Sequence, residues 1–100
     1  MFQRSYLMSP SNIQVDLVVH YPEKGETKSS CTFDIFVNRK CVKTFTAHGI
    51  DELHSIKMAL VAADANLQHY ARKHSEELTW NGDADLGLSP KCLNCGGTMA

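Results

Sequence analysis

A single uninterrupted stretch, residues 51–74, most constrains how this chain folds. It contains neither proline nor glycine. Its apolar residues recur at alternating steps of three and four, which places them on one face of an α-helix. Asp51 is a favourable N-cap residue and follows the breaker Gly49. The stretch predicts one helix, roughly 35 Å long at about 1.5 Å per residue. Its predicted buried seam comprises Leu53, Ile56, Leu60, Ala63, Leu67 and Tyr70.

Four stretches before the helix alternate between apolar and polar side chains, which is the period of a half-buried strand. In the first, Arg4 interrupts an apolar face that Phe2, Tyr6 and Met8 would otherwise share. The polar segment 21–30 contains proline and glycine and predicts a loop. The four predicted strands are residues 2–8, 13–20, 31–37 and 41–47.

The last two predicted strands are close enough in sequence to form a hairpin. A two-residue turn between them would place Asp34 opposite Lys43, a favourable cross-strand charge pair, and Phe36 opposite Cys41. The turn lacks the Asn-Gly pair that fixes such a register. The register is therefore a hypothesis.

Strands followed by one long helix predict an α+β fold. An antiparallel meander sheet of about four strands leaves one apolar face, and the helix covers it as a second layer. We predict a single domain over residues 1–90. The remaining residues, 91–100, hold two cysteines and two adjacent glycines but few large apolar side chains. They predict a flexible tail.

Composition argues against several classes of function. Lys plus Arg number 10 and Asp plus Glu number 11, so the chain lacks the basic footprint of a nucleic-acid binder. No apolar run approaches the length of a membrane span. The first residues show no apolar core of signal-peptide length. The prediction is a cytoplasmic protein that binds neither nucleic acid nor membrane.

A second apolar stripe on the helix is the most informative surface feature. Met58, Val61, Ala62 and Ala65 lie off the main seam, and a helix that only covers a sheet needs one stripe. One interpretation is that the stripe has no partner, since its alanines are strong helix formers and are tolerated in water. The other is a contact surface for a second copy in a twofold homodimer. Trp80 is either a core residue or a partner anchor.

The motif CLNC near the end of the chain suggests a different chemistry. Cys92 and Cys95 have the spacing of half a structural zinc site, which needs two further ligands. Cys31 and Cys41 lie at opposite ends of the predicted hairpin, so one metal would not reach both. We favour a flexible tail with two thiols and predict no cofactor. A zinc- or thiol-dependent protein is the alternative function.

Asp51 and His54 offer a third possibility, because a carboxylate can orient a histidine that acts as a base. No recognisable nucleophile signature accompanies them. Enzymatic function therefore ranks behind both other hypotheses. The leading hypothesis is a non-enzymatic binding or interaction domain that forms a homodimer.

Three motifs together resemble a family of small, mostly bacterial, uncharacterised domains. They are the helix start GIDELHSIKMAL, then LTW, then DLG. Two positions depart from that family's pattern, since His54 stands where glutamine is usual and Leu88 where an aromatic residue is usual. The resemblance implies a domain of unknown function and names no activity. The residues that match are Gly49, Asp51, Leu53, Ala59, Leu60, Leu78, Trp80, Asp85, Leu86 and Gly87.

Overall fold

A computed structural model describes residues 1–83 and 85–88. They form an antiparallel sheet packed against one α-helix, which confirms the predicted α+β fold. The sheet has six strands rather than about four. The two additional strands are very short. The elements are β1 (Phe2–Ser9), β2 (Ile13–Val19), β3 (Glu23–Lys24), β4 (Ser29–Val37), β5 (Lys40–Gly49), α1 (Glu52–Lys73) and β6 (Glu77–Thr79).

The four longer strands form a meander, as the alternating patterns predict. Their spatial order is β5, β4, β2 and β1, and each pair is antiparallel. The predicted loop 21–30 contains β3, which extends the β2 side of the sheet by pairing with the first residues of β4. After the helix, β6 adds to the open edge of β1 through Leu78 opposite Met8. Helix α1 thus joins strands at opposite edges of the sheet.

Helix α1 begins at the predicted residue. The Oδ1 atom of Asp51 accepts a hydrogen bond of 2.8 Å from the backbone N–H of His54, which is N-cap geometry. His74 is the C-cap, and basic residues occupy the last turn, where they offset the negative end of the helix dipole. Among the described residues, no helix is long and apolar enough to cross a membrane.

The buried face of α1 differs from the predicted seam. Ile56, Leu60 and Tyr70 lie at its sides and are half-buried. Leu53 is 76% exposed, so its assignment to the seam is wrong. At about 100° of rotation per residue, Leu53 lies about 80° around the helix axis from the centre of the buried row. It belongs to the first turn of the helix. Small side chains dominate the centre of the buried face of α1, and they let the helix backbone approach the sheet closely. The fully buried residues are Ser55, Ala59, Ala63, Leu67 and Ala71.

The β4–β5 hairpin has the predicted two-residue turn. Both turn residues have positive φ angles, 52° at Asn38 and 68° at Arg39, as expected for the tight turns that match strand twist. Phe36 pairs with Cys41, which was predicted. A β-bulge then shifts the register, so Asp34 lies opposite Thr44 and the predicted pairing with Lys43 is wrong. The bulge inserts one extra residue in β5, and no alternation pattern reveals such an insertion.

The two faces of the sheet differ in character. The face under α1 carries the core, in which Phe33, Leu17 and Ile35 are among the largest side chains that are completely buried. The opposite face carries the polar members of each alternating strand. We call this second surface the outer sheet face, and it contains Asp16, Thr32, Asp34, Thr44 and Thr46.

Candidate functional site

The second stripe of α1 faces away from the sheet. Met58 and Val61 are each 41% exposed, and Ala65 is also exposed. At about 100° per residue these three lie roughly 140–160° from the centre of the buried row. Ala62, which the sequence grouped with them, is half-buried and packs against the core. We call Met58, Val61 and Ala65 the outer flank of α1.

Trp80 occupies a corner between the segment after the helix and strand β1. The guanidinium carbon of Arg4 lies 3.9 Å from the centre of the Trp80 ring, which is a cation–π contact. Nη1 of Arg4 also donates to the backbone oxygens of Leu86, at 3.1 Å, and Gly87, at 3.3 Å. The charge that interrupts the apolar face of β1 is therefore satisfied by the LTW and DLG segments.

The DLG segment is held tightly in the same corner. Leu86 is completely buried, and its backbone oxygen also accepts a hydrogen bond of 3.2 Å from the hydroxyl of Tyr6. Burial raises the pKa of that hydroxyl, so it stays protonated as a donor. Gly87 has φ +69°, and a Cβ atom there would lie 2.7 Å from the Trp80 ring. The residues of this corner therefore act in packing the chain.

The outer sheet face carries a hydrogen-bonded cluster that sequence reasoning did not predict. Nε2 of His20, just after β2, lies 2.7 Å from Oδ2 of Asp34 on β4. The hydroxyl of Thr44 on β5 donates to Oδ1 of the same carboxylate at 2.6 Å. His20 and Asp34 belong to separate predicted strands, and each occupies a polar position in the alternation of its strand. Only the pairing of β2 with β4 brings them together, and this pairing has no local signature.

The carboxylate of Asp34 is stabilised in its ionised form. The hydrogen bond from Thr44 is the largest cause that lowers its pKa below the ordinary value of 3.8, partial burial opposes this effect, and His20 reinforces it. Because the Thr44 hydroxyl gives its hydrogen to Asp34, it is not positioned to give that hydrogen to the imidazole. The cluster therefore fixes an anion and orients a histidine, without activating Thr44 as a nucleophile.

Asp51 and His54 meet in a different way from a catalytic pair. The carboxylate of Asp51 accepts from the backbone of His54, as described above, and Nδ1 of the His54 ring accepts a 2.9 Å hydrogen bond from the Ile50 N–H. Both side chains are exposed. This geometry closes the start of α1, because Asp51 satisfies a first-turn N–H that the helix leaves without a partner, and the His54 ring satisfies the N–H of Ile50 just before the N-cap.

The cysteines fall into separate environments. Cys31 is buried, and burial raises the pKa of its thiol, whereas Cys41 is exposed. Cys31 pairs with Ala47 and Cys41 with Phe36, so the two lie near opposite ends of the hairpin, as predicted. Over residues 1–83 and 85–88, no three His, Cys, Asp or Glu side chains are grouped as a metal site. Cys92 and Cys95, like the whole predicted tail 91–100, lie outside the described residues.

A larger and a smaller cavity lie beside the helix, both lined by described residues. The larger, of about 400 Å³, lies beside β1 and β2 and is lined mainly by apolar side chains, with Arg4 as its charged member. That guanidinium already contacts Trp80 and two backbone oxygens. The smaller, of about 130 Å³, lies between α1 and β5 and includes Lys43, His69 and Lys73 in its lining. We call the smaller one the α1–β5 cavity.

Comparison with known families identifies the domain to which this arrangement belongs. Residues 2–90 match the family model of a domain of unknown function, DUF6968. The chain belongs to this family. Membership confirms the resemblance to a family of uncharacterised domains and assigns no activity to the corner, the outer flank or the outer sheet face. Comparisons with curated proteins and with solved structures gave no significant match.

Proposed function

We propose that this member of the DUF6968 family is a non-enzymatic interaction domain that self-associates as a twofold homodimer through the outer flank of α1. The exposure of Met58 and Val61 on the face opposite the core carries this proposal. Two bulky apolar side chains there contribute nothing to covering the sheet. A second copy of the chain would remove them from water.

The flank is self-complementary in an antiparallel helix pair. A twofold axis between Val61 and Ala62 would set Met58 of one copy opposite Ala65 of the other, so a large side chain meets a small one. The same axis would set Asp51 opposite Arg72, which brings opposite charges together at both ends of the contact. At about 1.5 Å per residue, α1 offers a contact line of roughly 33 Å.

Strand β5 is the other surface on which copies could pair. It is an edge strand of 10 residues, and Val42 and Phe45 on it are 42% and 41% exposed. It also carries Lys40 and Lys43, and lysines on an edge strand oppose edge-to-edge pairing. The helix flank has no lysine among its three residues. We therefore place the interface on the helix.

Trp80, the other predicted anchor, is half-buried. One face of its ring is already covered by Arg4. We assign it a supporting role in the domain and no part in the proposed contact.

Sedimentation equilibrium over a range of protein concentrations tests the proposal. The wild-type chain should fit a monomer–dimer equilibrium, and Val61→Glu and Met58→Glu should shift it to monomer, because each places a charge in the apolar contact. Ile50→Glu is the matched control, since Ile50 is 81% exposed but lies outside the flank. A wild-type monomer at the highest concentration, or an equal effect of the control, would contradict the proposed dimer.

A further inference from the structure

The α1–β5 cavity combines an apolar wall with a positively charged rim. Its volume of about 130 Å³ has room for about four water molecules, each of which occupies ~30 Å³ in the liquid. Ile35 is buried and forms part of the wall. The wall residues are Ile35, Val42 and Tyr70, and the rim residues are Lys43, His69 and Lys73.

The positive charges of Lys43 and Lys73 on this rim are not paired with acidic side chains among the described residues. Among the residues that the structure describes, no acidic side chain lines the cavity. Within residues 1–83 and 85–88, neither Lys43 nor Lys73 has a carboxylate within 4.0 Å. The whole chain has a formal net charge of −1, so a group of cations without an acidic neighbour is a local departure from the average. Such a group raises the electrostatic potential in a cleft and concentrates anions there.

The β-bulge shapes the cavity. In a regular strand, Val42 and Lys43 would point to opposite faces of the sheet. Because the register shifts between Ile35 and Phe36, both side chains line the same cavity. Bulges commonly redirect side chains in this way, and they are over-represented next to binding and active sites.

The helix side of the cavity is also held in place. Nδ2 of Asn66, which lines the cavity, donates a 2.7 Å hydrogen bond to the backbone oxygen of Ala62. The Tyr70 ring lies 4.5 Å from the ring of His74, which restricts its orientation. Lys73 is in the last turn, so the negative end of the helix dipole offsets part of its charge. Lys43 on β5 supplies the second positive charge of the rim.

We propose that the α1–β5 cavity binds a small molecule through an oxyanion, either a phosphate or a carboxylate. Lys43 and Lys73 supply charge-assisted hydrogen bonds to the oxyanion, and the His69 ring supplies a further polar contact. The apolar wall of Val42 and Tyr70 accepts the organic part of the ligand. This site is separate from the outer flank and does not depend on dimer formation.

Titration of the full chain with inorganic phosphate, followed by amide NMR shifts at constant ionic strength, tests the proposal. Saturable shifts should appear around Lys43, His69 and Lys73. Lys43→Gln and Lys73→Gln should each weaken binding about two- to fivefold, because each removes one charge-assisted contact of an exposed side chain. Lys57→Gln is the matched control, because Lys57 is an exposed lysine on the same helix that does not line the cavity.

Further titrations identify the class of oxyanion. Phenyl phosphate should bind more tightly than inorganic phosphate, because the apolar wall accepts its ring, and equal or weaker binding would contradict the assigned role of that wall. Saturable binding of acetate, but not of phosphate, would support the proposal and select carboxylates. Linear shifts without saturation for every anion, or equal weakening by Lys57→Gln, would overturn it. Dispersed spectra of all variants would show that each is folded.

Discussion

Gly49, the last residue of β5, lies directly against the backbone of Ser55 in the first turns of α1. A Cβ atom on Gly49 would lie 2.7 Å from the carbonyl carbon of His54 and 2.8 Å from the Cα of Ser55. Both are backbone atoms and have no rotamer with which to move aside. The absence of a side chain at position 49 is what allows the helix to turn back over the sheet so soon after β5.

We therefore expect Gly49→Ala to destabilise the domain by roughly 1–3 kcal/mol, because the new methyl group forces the strand and helix apart. Urea unfolding followed by circular dichroism measures this. Gly82→Ala is the control. Gly82 has φ +81°, and no atom lies within 4 Å of an added Cβ. The substitution there should therefore cost only about 1 kcal/mol of backbone strain. Equal losses of unfolding free energy in the two variants would show that the contact between Gly49 and the helix backbone does not cause the destabilisation.

Leu67 and Leu53 share the helical repeat but differ in burial, at 0% and 76% exposure. Leu67→Ala should lower the free energy of unfolding by about 2–5 kcal/mol through loss of buried area and creation of a cavity. Leu53→Ala should change it by less than about 0.5 kcal/mol. Thermal or urea unfolding of both variants decides. A large loss of unfolding free energy for Leu53→Ala would contradict this prediction. It would mean that Leu53 is buried in a contact that the single chain does not contain.

The pKa of Asp34 predicts a pH-dependent contribution to stability. Because this pKa is lower in the folded state than the ordinary value of 3.8, the ionised carboxylate stabilises the fold at pH values above 3.8. The contribution is lost as the pH falls through the depressed folded value. Asp34→Asn should therefore cost roughly 1 kcal/mol at pH 7 and progressively less below pH 3.8.

Urea unfolding of the wild type and Asp34→Asn at pH values from neutral to strongly acidic measures this difference. Glu26→Gln serves as a comparison, since Glu26 is an exposed carboxylate in the β3–β4 connection. It should show no such convergence with the wild type at low pH. A stability difference for Asp34→Asn that stays constant with pH would contradict the assigned role of the Thr44 and His20 contacts.

Arg4 and Trp80 should be energetically coupled. A double-mutant cycle of Arg4→Ala, Trp80→Ala and both together should give a coupling energy of about 1 kcal/mol from the half-buried cation–π contact. Unfolding by urea, followed by far-ultraviolet circular dichroism, reports on all four proteins. Since Trp80 is the one tryptophan of the chain, its fluorescence in Arg4→Ala reports directly on the loss of the stacking cation. Additive losses would mean that the two residues act independently.

Local patterns determined much of this protein. The N-cap at Asp51, the breaker at Gly49 and the basic last turn set both ends of α1 to within a residue. Alternation placed Tyr6 and Met8 of β1 on the buried face correctly, because a strand repeats every two residues whatever its partner, but Phe2 at the end of that strand is 58% exposed. The α+β class followed from these elements, since one apolar sheet face needs one cover. The family resemblance also rested on short motifs that the sequence displays directly.

Pairing between distant elements decided the rest. The rotation of α1, which buries Ser55 and exposes Leu53, depends on how closely the helix backbone approaches the sheet. The bulge in β5 depends on the fit to β4, and it moves Lys43 from Asp34 to the α1–β5 cavity. The contact of His20 with Asp34 needs β2 beside β4. A period of two or 3.6 residues specifies which side of an element is apolar, but the neighbour that covers it and the register come only from the tertiary structure.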